Sequence, residues 1–280
     1  LPVRVIGSSD SGEAEGHDFA VEQGAWVINN SWGPTDGTGN VTPIPPAVAT
    51  AIDVATTLGR GGLGTPIFWA AGNGHPVDSC SMDGFVSYPR TIAIGASTNA
   101  GVRSSYSEMC PELDLSAPSS GGTASINTTQ IDGYTGTFGG TSAAAPSAAG
   151  SAALVLSAVP DLRWDELRDL LRATATKIDP DVAAYDARGH SDALGWGRIN
   201  PRSALDGALL LERAGSIVGC DASLDATLVL PLAQGLGSVV VTAAAPEDSQ
   251  DFTLEEDRPG IYRGVVRLSD QPDSPGDGVL

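Results

Sequence analysis

The sequence predicts an α/β fold, with a doubly wound parallel sheet over residues 1–214 and the start of a β-sandwich-like domain over residues 215–280. Three observations support this class. Short, fully apolar runs rich in β-branched residues alternate with helical patterns in the first part, which is typical of a buried parallel sheet covered by helices. Gly and Pro mark each change of pattern. After Gly215 apolar and polar residues alternate between acidic turns, which favours antiparallel strands.

Each element follows from a local pattern. The predicted strands of the first part are the apolar runs at residues 3–6, 25–30, 66–71, 91–96 and 113–117. The predicted helices have apolar residues at helical spacing, at residues 16–23, 45–58, 142–159, 161–175 and a last segment through Leu211. In the helix 161–175, Leu162, Leu167, Leu170 and Leu171 face inward, and Asp165, Arg168, Asp169 and Arg172 face water. A loop is expected at 119–140, and strands at 238–242 and 261–268.

Ser142 opens the Ala-rich helix in the run 139–146 (Gly-Gly-Thr-Ser-Ala-Ala-Ala-Pro). The two glycines allow a tight turn before it, and the dipole at a helix N-terminus favours developing negative charge. We expect Pro146 in the first turn, where a missing N–H costs little. Because Ser and Thr are also ordinary helix caps, this run alone favours a nucleophile no more than a cap. Asn73, between two glycines after its strand, likewise fits either a turn or a site at the carboxyl edge of the sheet.

The charge of the chain excludes some classes of partner. The 280 residues contain 15 Lys and Arg against 34 Asp and Glu, which gives a net charge of −19. Phosphate backbones repel such a chain, so nucleic acid is not an expected partner, whereas calcium and basic substrates suit it better. No apolar run reaches the length of a membrane span. The sequence does not predict an oligomeric state.

Three stretches, taken together, resemble a known family. The runs 30–34 (Asn-Ser-Trp-Gly-Pro), 70–74 (Ala-Ala-Gly-Asn-Gly) and 139–146 are similar to the substrate-strand, oxyanion-asparagine and serine segments of subtilisin-like serine proteases (subtilases, peptidase S8). The runs 31–34, 80–84 and 106–110 most resemble the kexin/furin-like branch. The resemblance implies a subtilisin-like fold. Residues 1–214 would be the C-terminal two-thirds of a catalytic domain, and residues 215–280 an incomplete β-rich extracellular module.

The resemblance further implies a serine endopeptidase that cleaves proteins and peptides after Arg, and then Lys, through an acyl-enzyme. Acyl transfer needs a nucleophile and donors for the oxyanion. The implied residues are Ser142 as nucleophile and Asn73 as oxyanion donor; Ser31, Trp32 and Gly33 as the substrate-pairing strand; Asp36 and Asp83 as the acids of the specificity pocket; Asp36, Asp78 and Glu108 as Ca²⁺ ligands; and Cys80 with Cys110 as a disulfide. The alternative to the calcium site is three separate surface acids, and the alternative to the disulfide is two buried free thiols. A disulfide implies an oxidising compartment, so a secreted or extracytoplasmic protein is expected.

The general base is not evident in the sequence. The family places its His in a His-Gly-Thr context, whereas His17, His75 and His190 are followed by Asp, Pro and Ser. We expect His17 on a helix surface, His75 in a loop near the cleft and His190 in a polar loop. The triplet 10–12 (Asp-Ser-Gly) imitates the family's Asp segment but follows the wrong strand, so a solvated turn is expected.

The sequence therefore reads as an N-terminally truncated fragment that lacks the catalytic Asp and His and hydrolyses no peptide at a useful rate by itself. The alternative is a catalytically dead subtilase-like module used for binding or adhesion. An α/β-hydrolase is excluded because it needs a Gly-x-Ser-x-Gly elbow, and Ser142 stands in Gly-Thr-Ser-Ala-Ala. Cys220 is expected to pair outside these residues, and Asp270, Asp273 and Asp277 are either calcium ligands or solvated turn residues.

Overall fold

The computed structural model describes residues 2–5, 7–215, 223–229, 238–245, 248–258 and 261–267. The chain divides into two compact units, Leu1–Ala204 and Leu205–Leu280. The assignment of its two parts as a catalytic domain and an extracellular module stays a prediction. The predictions for Cys220, Asp270, Asp273 and Asp277 fall outside the described residues.

A four-stranded parallel sheet forms the centre of the first unit. Its strands lie side by side in chain order: β1 (Ile28–Asn30), β2 (Ile67–Ala70), β3 (Ile92–Ser97) and β4 (Leu115–Pro118). Every residue of β2 and β3 is buried, because crossover helices cover the faces of a parallel sheet. This confirms the α/β class and four of the five predicted strands. The strand predicted at 3–6 is wrong as far as the structure describes it, since residues 2–5 form no regular element.

The first helix begins earlier than its apolar pattern indicates. α1 spans Asp10–Glu22, and the hydroxyl of its N-cap residue Ser9 accepts a hydrogen bond from the Gly12 N–H at 3.4 Å. The triplet 10–12 is therefore the first turn of a helix, and the predicted solvated turn is wrong. Both the cap and the two acidic residues of the first turn, Asp10 and Glu13, stabilise a helix N-terminus, and these signals outweigh the glycine.

Besides α1, two helices contribute buried residues to the core around the sheet. α2 (Pro46–Leu58) confirms the predicted helix at 45–58. α3 (Thr141–Ala158) contacts all four strands, and most of its buried residues are alanines, which let the helix backbone approach the sheet closely. Pro146 is the sixth residue of α3, so its predicted position in the first turn is wrong.

α4 (Trp164–Ala173) is amphipathic, as predicted, and buries Leu167, Leu170 and Leu171. It begins later than residue 161 because the Glu166 carboxylate accepts a hydrogen bond from the Arg163 N–H at 2.8 Å and caps the helix there. Arg172 does not simply face water. It pairs with the buried Asp114 at 2.5 Å, which ties α4 to the sheet. Two further helices are α5 (Pro180–Ala183) and α6 (Pro201–Gly215).

The loop predicted at 119–140 contains a hairpin of β5 (Ile126–Gln130) and β6 (Gly133–Phe138). Its Ile, Thr, Tyr and Phe residues favour strands, a signal that the Gly and Ser content obscures. Within the described residues, no helix combines the length and hydropathy that a membrane crossing requires.

The second unit contains an antiparallel sheet. Its strands are β7 (Ser223–Val229), β8 (Ser238–Ala245), β9 (Asp248–Arg258) and β10 (Ile261–Arg267), in the order β7-β10-β9-β8. β8 and β10 correspond to the strands predicted at 238–242 and 261–268. A β-sandwich-like domain stays a prediction.

Candidate active site

A cleft of about 190 Å³ contains residues from the ends of β1 and β2 and from the start of α3. The carboxyl ends of parallel strands are where α/β folds place ligands. Every residue with a predicted catalytic, substrate-binding or metal role lines this cleft: Ser31, Trp32, Gly33, Asp36, Asn73, Asp78, Asp83, Glu108 and Ser142. The topology therefore brings together residues that are distant in sequence.

Ser142 is the second residue of α3, and a glycine fixes the turn before it. Gly140, the N-cap, has a φ of 75°, a left-handed value that glycine adopts without strain. Its carbonyl accepts a hydrogen bond from the Ser119 hydroxyl at 2.6 Å. The Ser142 hydroxyl donates to the carbonyl oxygen of Ser31 at 3.3 Å. It thus lies at a helix N-terminus, where the dipole stabilises negative charge on oxygen.

The orientation of the Asn73 amide is fixed by its neighbours. Its Oδ1 accepts hydrogen bonds from the Thr141 N–H at 2.8 Å and from the Thr141 hydroxyl at 3.2 Å. Its Nδ2 donates to Asp36 Oδ2 at 3.1 Å. An amide nitrogen carries two protons, so a second N–H remains for a ligand in the cleft. Thr141 was not predicted as a site residue, although its position directly before Ser142 was a signal.

The cleft also contains an acidic cluster. Carboxylate oxygens of Asp36, Asp78 and Glu108 lie within 4.8 Å of one another. Glu108 is only 4% exposed. Burial raises the pKa of Glu108 to about 7, and the charges of the neighbouring aspartates add to this shift. Like charges at this separation make an ionised cluster unfavourable unless a cation balances it.

These residues fit a hard divalent cation. A Cβ atom at Gly72 would lie 2.3 Å from Glu108 Oε1, and one at Gly74 would lie 2.3 Å from Asp78 Oδ2. The two glycines therefore let the carboxylates converge against the backbone. Carboxylate oxygens are the ligands that Ca²⁺ prefers, and a bound cation would relieve the repulsion that adds to the raised pKa of Glu108.

Asp83 lies in the same cleft, next to the segment that follows β1. Burial raises the pKa of Asp83 to about 6, and the charge of Asp36 adds to the shift, whereas a hydrogen bond from the Phe85 N–H at 2.8 Å opposes it. A Cβ atom at Gly33 would lie 3.0 Å from Asp83 Oδ2. Glycine at this position therefore leaves space above the carboxylate.

An aromatic cluster that the sequence did not predict supports residues 31–33. Trp69, a fully buried residue of β2, donates from its Nε1 to the Trp32 carbonyl oxygen at 2.7 Å. The ring of Trp69 lies 4.8 Å from that of Trp32 and 5.0 Å from that of Phe85. The segment is thus anchored to the sheet by both packing and a hydrogen bond.

None of the three histidines lines the cleft. His17 is only 3% exposed and stacks on Trp69, so its predicted surface position is wrong. Its Nδ1 donates to the Glu13 carbonyl at 3.0 Å, and burial lowers its pKa. His190 lies in a loop, as predicted, but it is buried, with Nε2 2.8 Å from the Leu113 carbonyl oxygen. His75 is in a loop, as predicted.

A disulfide joins Cys80 and Cys110. Beside it, the Ser79 hydroxyl donates to the Met109 carbonyl at 2.9 Å. These contacts connect the segment that carries Asp78 and Asp83 to the segment that carries Glu108. The crosslink therefore holds acids from distant parts of the chain at one place.

Comparison with known proteins identifies the family. The family model described as "Subtilase family" (Peptidase S8) matches residues 1–197. The chain belongs to the subtilase family. A chain in a solved structure titled as proteases from Pseudoalteromonas arctica has a TM-score of 0.60 and 26% identity, over 74% of this chain and 62% of that chain. The predicted subtilisin-like fold is thus confirmed.

Two curated relatives bear on the branch of the family. A calcium-dependent protease of Trichormus variabilis is 39% identical over 75% of this chain, and kexin of Candida albicans is 34% identical over 70%. The chain spans only 36% and 21% of their respective lengths. Because the calcium-dependent protease is the more similar of the two, membership of the kexin/furin-like branch stays a prediction.

Proposed function

We propose that the protein containing this chain is a serine endopeptidase that cleaves after Arg, and less readily after Lys, through an acyl-enzyme. The observation that carries this proposal is the placement of the Ser142 hydroxyl, the Asn73 amide and the Asp83 carboxylate in one cleft. A nucleophile, an oxyanion donor and a half-buried acid in one cavity are, together with a general base, the components of peptide-bond cleavage after a basic residue.

The proposed roles follow from the hydrogen bonds. Ser142 Oγ attacks the scissile carbonyl, and the carbonyl oxygen becomes negative in the tetrahedral intermediate. The Ser142 N–H and the second N–H of Asn73 Nδ2 donate to that oxygen. Thr141 binds Asn73 Oδ1 and so fixes the orientation of the amide group. The proton of Ser142 goes to a general base, which protonates the leaving amine in turn. We propose that this base, with its Asp partner, comes from residues outside this sequence, since no histidine lines the cleft.

The specificity rests on two carboxylates. Asp83 and Asp36 both line the cleft next to Trp32 and Gly33. With a pKa of about 6, Asp83 is mainly ionised at neutral pH. A guanidinium pairs with carboxylates through parallel hydrogen bonds, and an ammonium pairs as a point charge, so Arg is preferred over Lys and both over neutral side chains.

A second groove adds to this specificity. It has a volume of about 310 Å³ and shares Trp32, Gly33 and Pro34 with the cleft, and its lining includes Asp10 and Glu13 of α1. A substrate strand that pairs with residues 31–33 would extend along both cavities. We propose that this groove accepts a second basic residue upstream of the scissile bond.

We propose that Asp36, Asp78 and Glu108 bind Ca²⁺. The fit of the three carboxylates supports this assignment, as does the similarity to a protein named calcium-dependent protease. When bound, the ion supplies positive charge that lets the acids converge. A bound ion would thereby stabilise the two loops that carry Asp36 and Asn73, which follow β1 and β2.

The test is peptide cleavage by the complete protein. A library should be cut after Arg and then Lys, and Ser142→Ala should abolish cleavage. A preference for Leu, Phe or Ala before the scissile bond would refute the pocket assignment and leave Ser142 in place. The absence of a histidine from the cleft lining also fits a catalytically dead binding module, which the same assay distinguishes because such a protein cleaves no peptide in any context.

A further inference from the structure

α3 lacks one hydrogen bond directly at the proposed nucleophile. In a regular helix the carbonyl of residue i accepts from the N–H of residue i+4. Pro146 is the residue i+4 from Ser142, and proline has no N–H to donate. The Ser142 carbonyl therefore lacks the i+4 donor of a regular helix.

Ser31 supplies the missing donor from another element. Its hydroxyl donates to the Ser142 carbonyl oxygen at 2.9 Å, across 111 residues of sequence. Asn29 Nδ2 donates to Ser31 Oγ at 3.0 Å, so this oxygen acts as an acceptor toward Asn29 and its proton is directed at Ser142. In return, the Ser142 hydroxyl donates to the Ser31 carbonyl at 3.3 Å. The two serines thus hold each other by a reciprocal pair of bonds.

We propose that the Ser31 side chain is a positioning residue, which acts through Ser142 and does not itself touch the reacting atoms. This inference rests on the proposed function. The hydroxyl replaces the helix hydrogen bond that Pro146 removes and so fixes the backbone of Ser142. Both the attacking oxygen and the N–H proposed for the oxyanion belong to that residue. Without the bond from Ser31, the partly buried Ser142 carbonyl turns toward another donor. This movement displaces both the Ser142 hydroxyl oxygen and the Ser142 N–H.

Substrate binding uses a different part of Ser31. A substrate strand pairs with main-chain groups of residues 31–33, which an alanine substitution leaves in place. Misplacement of a reacting group by about 1 Å costs up to ~10² in rate. We therefore expect Ser31→Ala to lower kcat by roughly tenfold or more, with KM little changed.

The experiment is a double-mutant cycle in the complete protein. Ser31→Ala is measured in the wild-type background and in Pro146→Ala, in which the new N–H at residue 146 can donate to the Ser142 carbonyl. The loss in kcat should be clearly smaller in the Pro146→Ala background. Ser31→Thr, which keeps the hydroxyl, should restore kcat. Ser151→Ala is the matched control: its hydroxyl also donates to a helix carbonyl, that of Ser147 at 2.8 Å, where no proline interrupts the helix.

Three outcomes would overturn the proposal: an unchanged kcat in Ser31→Ala, an equal loss in both backgrounds, or a loss confined to KM. Melting temperatures identify a variant that fails to fold. In that case Ser31→Cys, whose thiol is only a weak donor, replaces Ser31→Ala in the cycle with the same expected outcomes. Ser142→Ala separates the two levels of the argument. If it is inactive and Ser31→Ala is unimpaired, only the positioning role is wrong. If it keeps full activity, the proposed function and the positioning role are both wrong.

Discussion

Two regions of the cleft differ in how their polar groups are satisfied. The serine region (Ser31, Asn73, Thr141 and Ser142) is connected by hydrogen bonds within the chain, from Thr141 to Asn73 and between the two serines. The acidic region (Asp36, Asp78, Asp83 and Glu108) accepts backbone and amide N–H groups. In the described part of the chain, no Lys or Arg forms an ion pair with it.

Asp114 shows that this difference is not a consequence of burial alone. It is as buried as Glu108, yet Arg172 pairs with it at 2.5 Å and the Ala93 N–H donates to it at 2.7 Å. The chain thus balances a structural acid with its own cation and leaves the acids of the cleft without one. The serine region is thus organised by hydrogen bonds within the fold, and we propose that a cation or a basic substrate completes the acidic region.

The largest effect is expected from Asn73→Ala in the complete protein. Loss of an oxyanion donor typically costs ~10²–10³ in turnover, so kcat for an Arg peptide should fall by about that factor, with KM little changed. Steady-state kinetics reports on the serine region, and a calcium titration of the same variant reports on the acidic region. Asn40→Ala is the control, because Asn40 also lines the cleft without a proposed role. A parallel loss of calcium affinity would show that the two regions are one unit, joined by the bond from Asn73 to Asp36.

The second prediction concerns calcium. Calcium at about 100 times its Kd should stabilise the folded protein by about 2.7 kcal/mol, and Asp78→Asn should remove most of this stabilisation. Because the pKa of Glu108 is raised to about 7, calcium must displace a proton from this carboxyl group at lower pH. The gain from a fixed calcium concentration should therefore increase as the pH rises to about 7. Melting temperatures with calcium and with chelator, at pH 5.5 and 8, provide the measurement.

Asp132→Asn is the control for this effect. Asp132 is an exposed residue in the turn of the β5–β6 hairpin, where its φ is 70°, a conformation that asparagine tolerates. It should leave the calcium response unchanged. A melting temperature indifferent to chelator in the wild-type protein would contradict the site.

The sequence predicted the cleft better than it predicted what supports the cleft. Ser142, Asn73 and the acids stand in short runs whose residue types are set by chemistry, and all of them line one cavity. The bond from Ser31 to Ser142 joins residues far apart in the chain, so no local pattern indicates it. The same holds for the buried positions of His17 and His190, because polar residues are expected at the surface unless their partners are known.

Local signals also compete in ways that composition does not resolve. In α1, the Ser9 cap and the acidic first turn start the helix at Asp10, whereas the glycines at 12 and 16 favour a turn. In the segment 119–140, Gly and Ser favour a loop, yet β5 and β6 form by pairing with each other. Pairing partners outside the local window decide such segments, and periodicity does not reveal them.

The third prediction uses pH to separate the acids from the nucleophile. The pKa of Asp83 is raised to about 6, so its side chain loses its negative charge as the pH falls through 6. The ratio of kcat/KM for an Arg peptide to that for the isosteric, neutral citrulline peptide should fall by up to about tenfold between pH 7 and 5. The ratio cancels the titration of the general base, which acts on both peptides. In Asp83→Asn the ratio should be lower and nearly independent of pH, and a pH-dependent ratio in that variant would assign the titration to another group.

The smallest effect is expected in the second groove, where Glu13 is only partly buried. Burial, and then the charge of Asp10, raise the pKa of Glu13. Partly exposed ion pairs contribute at most about 1 kcal/mol. Glu13→Gln should therefore lower kcat/KM by about two- to fivefold for peptides with a second basic residue upstream, and leave peptides with a single Arg unchanged. Glu15→Gln is the matched control, since Glu15 lies on the same helix, is exposed and does not line the groove. An equal effect of both substitutions would indicate a general influence of net charge. An effect of Glu13→Gln on single-Arg peptides would instead place this carboxylate in the first pocket and extend the acidic region to α1.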